Sequence, residues 1–335
     1  TSITDTVSNI TAVNTNANIS LATSTITVTD PASLADAIAF KEFTTAQVTF
    51  QKVEDTVSNI TSIDGIDSKE VSMASAAITV TDPASLADAI AINGFTDGLV
   101  TLNSVEDTVS NITSIDLIDS NDVSMASAAI KVTDPASLAD ATAINGFTDG
   151  LVTLNSVEDT YAKIQDIKSI PDGQVDMGAA VVKVSDNVTK TEVDDLRTDT
   201  TGNITLTSLT EDKGDLATIN GFTDVILSTA NITVTDNVDK SEADTIDAYS
   251  NASGVVTLTS ITDTVSNITA VNTNANISIA SAAVTVTDAA SFDNADAIKE
   301  FTTAQVTLQK VEDTVSNITS IAVSYTHLRA HETHT

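Results

Sequence analysis

Isoleucine and valine alternate with threonine through short stretches of this chain, and each stretch ends at an acidic residue. Ile78 and Val80 alternate with Thr79 and Thr81 before Asp82. That period of two predicts a half-buried strand. Asp82-Pro83 then reads as a helix start, with Asp as N-cap and Pro at the first helical position. Leu86, Ala89 and Ile90 form an apolar stripe at helical spacing, which places Ile90 in the core. Asn93-Gly94 ends the helix, and Phe95 follows as a core anchor. Gly98 marks the turn into a strand over Leu99 to Leu102. After Asp107 the apolar residues fall at Val109, Ile112, Ile115 and Ile118, every third position. This spacing predicts a short helix or a 3₁₀-like turn, although β-branched residues favour helices poorly.

The pattern recurs along the chain. Its acidic position falls at Asp5, Asp30, Asp55, Asp82, Asp107, Asp134, Asp159, Asp186, Glu211, Asp236, Asp263, Asp288 and Asp313, in steps of 25 or 27 residues. The strongest period is 52: VEDTVSNITSID begins at Val53 and again at Val105, and Met73, Met125 and Met177 keep the same step, as do Phe43, Phe95 and Phe147. Each 52-residue unit divides into two related halves. Strand, cap, short helix and return in about 26 residues make one solenoid turn. The predicted fold is therefore a repeat protein, a β-solenoid of parallel strands with short helices or helical turns. It would run through residues 1–321 without a domain boundary. A string of β-sandwich domains is the competing architecture, but a sandwich needs about 100 residues of non-identical strands.

Residues Thr1 to Ser20 match Thr259 to Ser278 without a change, 258 residues on. Recent duplication of a block of units leaves such a mark, as does an assembly error in a repetitive gene. Thr1 falls in mid-repeat, which reads as an internal fragment of a longer protein.

Composition narrows the function. The formal charge is −33, from 47 acidic against 14 basic residues. Such a surface repels nucleic acid, which is bound through Lys and Arg, and anionic membranes. No apolar run approaches the ~20 residues that span a bilayer. Hydrophobic content of 41% supplies a core, and 3% aromatic content makes it one of Val, Ile, Leu and Ala. There is no Cys, so neither a disulfide framework nor a thiol nucleophile exists.

The acidic column is the sharpest candidate site. In stacked coils its carboxylates would lie about 4.8 Å apart. Each neighbouring pair would then cost about 0.9 kcal/mol in water. As helix caps they would return roughly 1 kcal/mol each. As cation ligands, Asp82, Asp107, Asp134 and Asp159 would need Glu106 or Asp88 beside them, because calcium takes six to eight oxygens. Capping is the reading preferred here, with no cofactor required. Asn-Ile-Thr at Asn9, Asn59 and Asn111 matches a glycosylation sequon, as a by-product of one duplicated phrase. Tyr161 to Lys213 holds Lys163, Lys168, Lys183, Lys190, Arg197 and Lys213, a basic cluster scattered among Asp residues.

His327, His331 and His334 take metal-ligand spacing on one helix face. They belong, however, to VSYTHLRAHETHT, which shares nothing with the repeat. This tail, within residues 322–335, resembles translated sequencing-adapter read-through and is expected to be disordered.

The phrases VTDPASLADAIAI and VEDTVSNITSI resemble the VxDTxxNI-type repeats of very large secreted or surface-attached bacterial proteins. That resemblance implies an adhesin-like, extracellular setting and a structural stalk or spacer rather than an enzyme. A calcium- or glycan-binding repeat module is the alternative, with glycans or neighbouring surface proteins as partners. A polysaccharide-degrading β-solenoid enzyme ranks third. The architecture is testable by small-angle scattering on residues 1–321, which should give a rod-like cross-section. A compact globule, or beads on flexible linkers, would contradict a continuous solenoid.

Overall fold

The computed structural model describes residues 1–250 and 253–314. These form a β-solenoid-type repeat of parallel strands with short helices between them. The chain groups into two compact units. One comprises Thr1–Glu158 with Ala162–Ala180; the other comprises Asp159–Tyr161 with the residues from Val181 on. The tail with its three histidines lies outside the described residues.

Two strand types alternate in each unit. One type is bulged: Ala77–Ala84 and Ala129–Ala136 in the first unit, Asn231–Val238 and Ala283–Ala290 in the second. The other is plain: Val48–Asp55 and Val100–Asp107 in the first, Ile204–Glu211 and Val256–Asp263 in the second. Val, Ile and Thr suit a pleated, half-buried surface. The inward residues Ile78, Val80, Ala84, Val100, Leu102 and Val105 are buried, as are Ala89, Ile92, Ile112 and Ile115 on the helices. Full burial of such aliphatic side chains contributes about 1.5–3 kcal/mol each for the larger ones. Met73, Met125 and Met177 are 4% exposed and fill the turn that precedes each following bulged strand.

The bulge corrects the expected helix start. Asp82 and Pro83 lie inside the strand Ala77–Ala84, and the register against Val100–Asp107 shifts between Val80 and Pro83. Pro has no N–H to give a ladder, so the interrupted pairing of a bulge accommodates it. The helix Leu86–Asn93 is capped instead by Ser85, in a reciprocal capping box with Asp88. Starting there, it turns Ala89 and Ile92 inward and leaves Ile90 57% exposed. Of the expected stripe, Ala89 is in the core and Ile90 is on the surface, with Ile92 taking the inward place. Phe95 is also only half-buried; the buried residue is its neighbour Thr96, whose hydroxyl donates to the Ala76 carbonyl at 2.6 Å. Thr44, Thr148 and Thr302 make the same bond to Ser24, Ala128 and Ala282. Just beyond, Gly98 passes so close that a Cβ there would stand 2.3 Å from the Ala76 oxygen. The segment after Asp107 is an α-helix, Val109–Asp116, with Ile112 and Ile115 buried.

The register is staggered. A plain strand pairs with one bulged strand along most of its length. On its other side it meets a two-residue strand first and the next bulged strand second. Val48 pairs with Val71, whereas Val53 pairs with Ile78, and Ile78 pairs with Val100. Val100, the repeat-equivalent of Val48, therefore stands level with Val53. Equivalent positions slide by five residues per 52-residue unit, about 16 Å along the strand. The second unit repeats this: Ile261 pairs with Val284, and Val284 with Val306.

Truncation should separate the two helix positions. Ile92→Ala, in the core, is expected to cost about 2–5 kcal/mol. Ile90→Ala should stay within roughly 1 kcal/mol. Denaturant unfolding of both variants checks the assignment, and equal losses would contradict it.

Candidate functional site

The helices are too short to stand alone. Most run eight residues, below the ~12–15 at which isolated helices become even marginal in water. The sequence VSNITSID is also rich in β-branched residues, which lose side-chain freedom in a helix. Their first amides must find acceptors outside the helix. The acidic column supplies them, from the following coil.

Asp82 does not cap its own helix. Its Oδ1 accepts the N–H of Val57, 2.7 Å away, at the first position of the preceding coil's helix Val57–Asp64. Asp107 Oδ2 accepts in the same way from Leu86, at 2.9 Å, and Asp134 Oδ1 from Val109, at 2.7 Å. The bond recurs from Val7 to Asp30, Leu34 to Asp55, Tyr161 to Asp186, Lys190 to Glu211, Lys213 to Asp236, Lys240 to Asp263, Val265 to Asp288 and Phe292 to Asp313. Each donor is the first residue of a helix. Asp159 is 8% exposed and accepts the Thr160 N–H at 2.8 Å.

The column also differs from an in-register ladder. Asp55 pairs with Val80 and Asp107 with Val132, two residues short of Asp82 and Asp134 respectively. Successive acids therefore do not stack on neighbouring strands at 4.8 Å spacing. They sort instead by strand type. An acid closing a plain strand serves two helices: Asp107 takes Leu86 on Oδ2, and on Oδ1 it takes the Thr108 N–H at 2.8 Å and the Asn111 side-chain amide at 2.8 Å. Asn111 is the asparagine of the Asn-Ile-Thr phrase, and Asn9, Asn59 and Asn267 donate to Asp5, Asp55 and Asp263 likewise. Thr108 completes the cap by accepting from the Asn111 N–H. Bulged-strand acids such as Asp82 and Asp134 serve the preceding helix through one oxygen.

Burial alone would push the Asp107 carboxyl up. The Leu86 N–H, the Asn111 amide and the Thr108 N–H outweigh it and hold the pKa below the ordinary carboxylate value. Asp55 and Asp263 are lowered by the same balance. Positive helix N-termini add to the attraction.

A cation would have to displace these donors. Among the described residues, no group of three or more acidic or histidine side chains converges on a metal position. The basic region is dispersed as well. Lys190 pairs with Asp194 at 2.5 Å and Lys213 with Glu242 at 2.8 Å. Arg197 pairs with Asp224 at 2.7 Å and lies 3.7 Å over the Phe222 ring. An open groove of about 220 Å³ beside Lys213, Glu242 and Tyr249 has its ammonium engaged by Glu242 and the Asn237 carbonyl. Tyr161 donates to Asp195, and burial together with that bond pushes its pKa up to about 12. No described helix is long and apolar enough to cross a membrane.

Neither a protein-family model, nor a curated protein, nor a solved structure matches the chain.

The two acid types should respond differently to amide substitution. Asp82→Asn keeps its single acceptor and should be nearly neutral, whereas Asp82→Ala should cost about 1 kcal/mol. Asp107→Asn turns an NH₂ group toward N–H donors and should cost about 1–3 kcal/mol. The folded pKa of Asp107 is depressed, so its contribution is present above the unfolded value near 4 and is lost as pH falls through the folded value. The gap between wild type and Asp107→Asn should therefore narrow as the pH is lowered from 7 through the depressed folded value. Urea melts across that range measure it, and a gap that stays constant would contradict the assignment.

Proposed function

We propose that this chain is a structural repeat segment, a stalk or spacer, of a bacterial extracellular or cell-surface protein, without catalysis of its own. The observation that supports this reading is the use of the acidic column. Its carboxylates tie the helix of one coil to the strand of the next, in both units. The acids were the strongest candidates for chemistry in the sequence, and each of those traced above gives at least one oxygen to holding coils together. Their charge leaves a surface that favours hydration and resists nonspecific association with nucleic acid. An adhesive role would then rest on the exposed threonine and aspartate positions rather than on a pocket. The resemblance of VEDTVSNITSI to repeats of large secreted proteins points the same way.

Thermal melting in sodium and in calcium at matched ionic strength tests this reading against a calcium-binding module. Under the structural reading the two salts act alike, since both screen exposed charge over a Debye length of ~8 Å at physiological ionic strength. A gain specific to calcium, absent from Asp82→Asn and Asp107→Asn, would overturn it and make this a calcium-rigidified segment.

A further inference from the structure

Two adjacent coils of the second unit depart from the repeat at several positions together. In the first unit the helices that follow bulged strands carry Ala35, Ala87 and Ala139 at their second position. Their sixth position is Ala39, Ala91 and Ala143, and Phe43, Phe95 and Phe147 come four residues later. On the helix Lys240–Asp247 the same places hold Ser241, Thr245 and Tyr249. The preceding helix, Lys213–Asn220, opens on Lys213, where Val57, Val109 and Val265 open the corresponding helices. Four small or apolar positions have thus gained a polar group. Where a regular chain breaks its own pattern, function or strain is expected.

The four substitutions converge. With Glu242 and the buried Ile246 they line the open groove of about 220 Å³. Tyr249 is half-buried in its wall. Lys213 Nζ donates to Glu242 Oε1 at 2.8 Å and to the Asn237 carbonyl at 3.2 Å. An ammonium has three hydrogens, so one is left over. Glu242 Oε2 accepts the Asp239 N–H at 3.0 Å, which engages both carboxylate oxygens. The Thr245 hydroxyl donates to the Ser241 carbonyl at 2.8 Å and keeps its lone pairs for accepting. The Ser241 and Tyr249 hydroxyls have no hydrogen-bond partner among the described residues.

We infer that this groove binds a neutral pyranose unit of a glycan. A pyranose has an apolar C–H face and a rim of hydroxyls. The Tyr249 ring and Ile246 suit the face. The hydroxyls of Ser241, Thr245 and Tyr249 and the spare Lys213 hydrogen suit the rim. Small-molecule sites combine apolar walls with a few placed polar groups in this way, and tyrosine supplies both kinds of surface. Charge narrows the class. Lys213 and Glu242 neutralise each other, while Asp239 and Asp244 on the same helix segment, in a chain of net charge −33, oppose an anionic sugar. A cation finds both Glu242 oxygens taken. The groove is open and small, so affinity for one sugar unit falls in the millimolar range. This site stands apart from the stalk reading, which rests on the acidic column.

Saturation-transfer NMR on the full chain tests the inference. The neutral probes are the methyl pyranosides of glucose, galactose and mannose, and glucuronic acid is the anionic one. At least one neutral glycoside should receive saturation, and glucuronic acid should receive less. Lys213→Val and Tyr249→Phe restore residues that the repeat itself carries at these positions, so both variants should fold, which circular dichroism checks. Each loses one hydrogen-bonding group and should bind about three- to tenfold more weakly. Tyr249→Ala, which also loses the ring, should abolish the transfer. Transfer that persists unchanged in Lys213→Val and Tyr249→Phe would put the sugar elsewhere and overturn the assignment. Absence of transfer to all three neutral glycosides would overturn it too, as would equal binding of glucuronic acid.

Discussion

One recurring hydrogen bond organises this chain: the first amide of a helix to a carboxylate of the following coil. Helices of eight residues with β-branched interiors have little intrinsic stability. A side-chain cap from Ser or Thr satisfies one amide, and the next coil satisfies another. The dependence is directional, because the acceptor always lies 21 to 25 residues downstream. A coil thus completes its predecessor, and its own helix waits for its successor. Buried threonine hydroxyls run the other way, reaching upstream carbonyls from Thr96 to Ala76 and from Thr148 to Ala128. Neighbouring coils are held from both directions by polar contacts that the aliphatic core alone would not orient.

The same bond explains how so acidic a chain tolerates its charge. Asp55, Asp107 and Asp263, which close plain strands, receive three N–H donors each. Charge-assisted bonds of this kind are about twice as strong as neutral ones. The stagger of the register further keeps successive acids from stacking on neighbouring strands. Ion pairs such as Glu106 with Lys131 sit on the surface, where they contribute little. The N–H donors offset part of the repulsion that the column concentrates.

Much of the fold was legible in the sequence, because periodicity reports it directly. The 52-residue step of Met73, Met125 and Met177, the alternation through Ile78 and Val80, and the third-position spacing from Val109 to Ile118 all correspond to observed elements. The errors arose where the deciding partner lay in another coil. Asp82-Pro83 has the local chemistry of a helix start, and nothing nearby reveals that Asp82 serves Val57 instead. The competing signal was present three residues on, in Ser85 and Asp88. The surface position of Ile90 was also readable from its own repeats, which carry Ile38, Thr142 and Asp194. Those of Ile92 are Phe40, Ile144 and Leu196. Register slip left no such trace, since backbone pairing sets it and a two-residue strand is too short to show a pattern.

The alternation of strand types bears on how such a gene can change. A bulged strand has plain neighbours, and a plain strand has bulged ones. Loss or gain of a single coil would set two strands of one kind side by side, with a bulge unmatched and a helix start facing the wrong acid. Only even numbers of coils can be exchanged without penalty. The duplicated block obeys this rule: from Asp5 to Asp263 there are ten steps of the acidic column. Unequal crossing-over between repeats would therefore leave survivors that differ in length by whole pairs, so that length could vary freely among descendants while the phase of the pattern stays fixed.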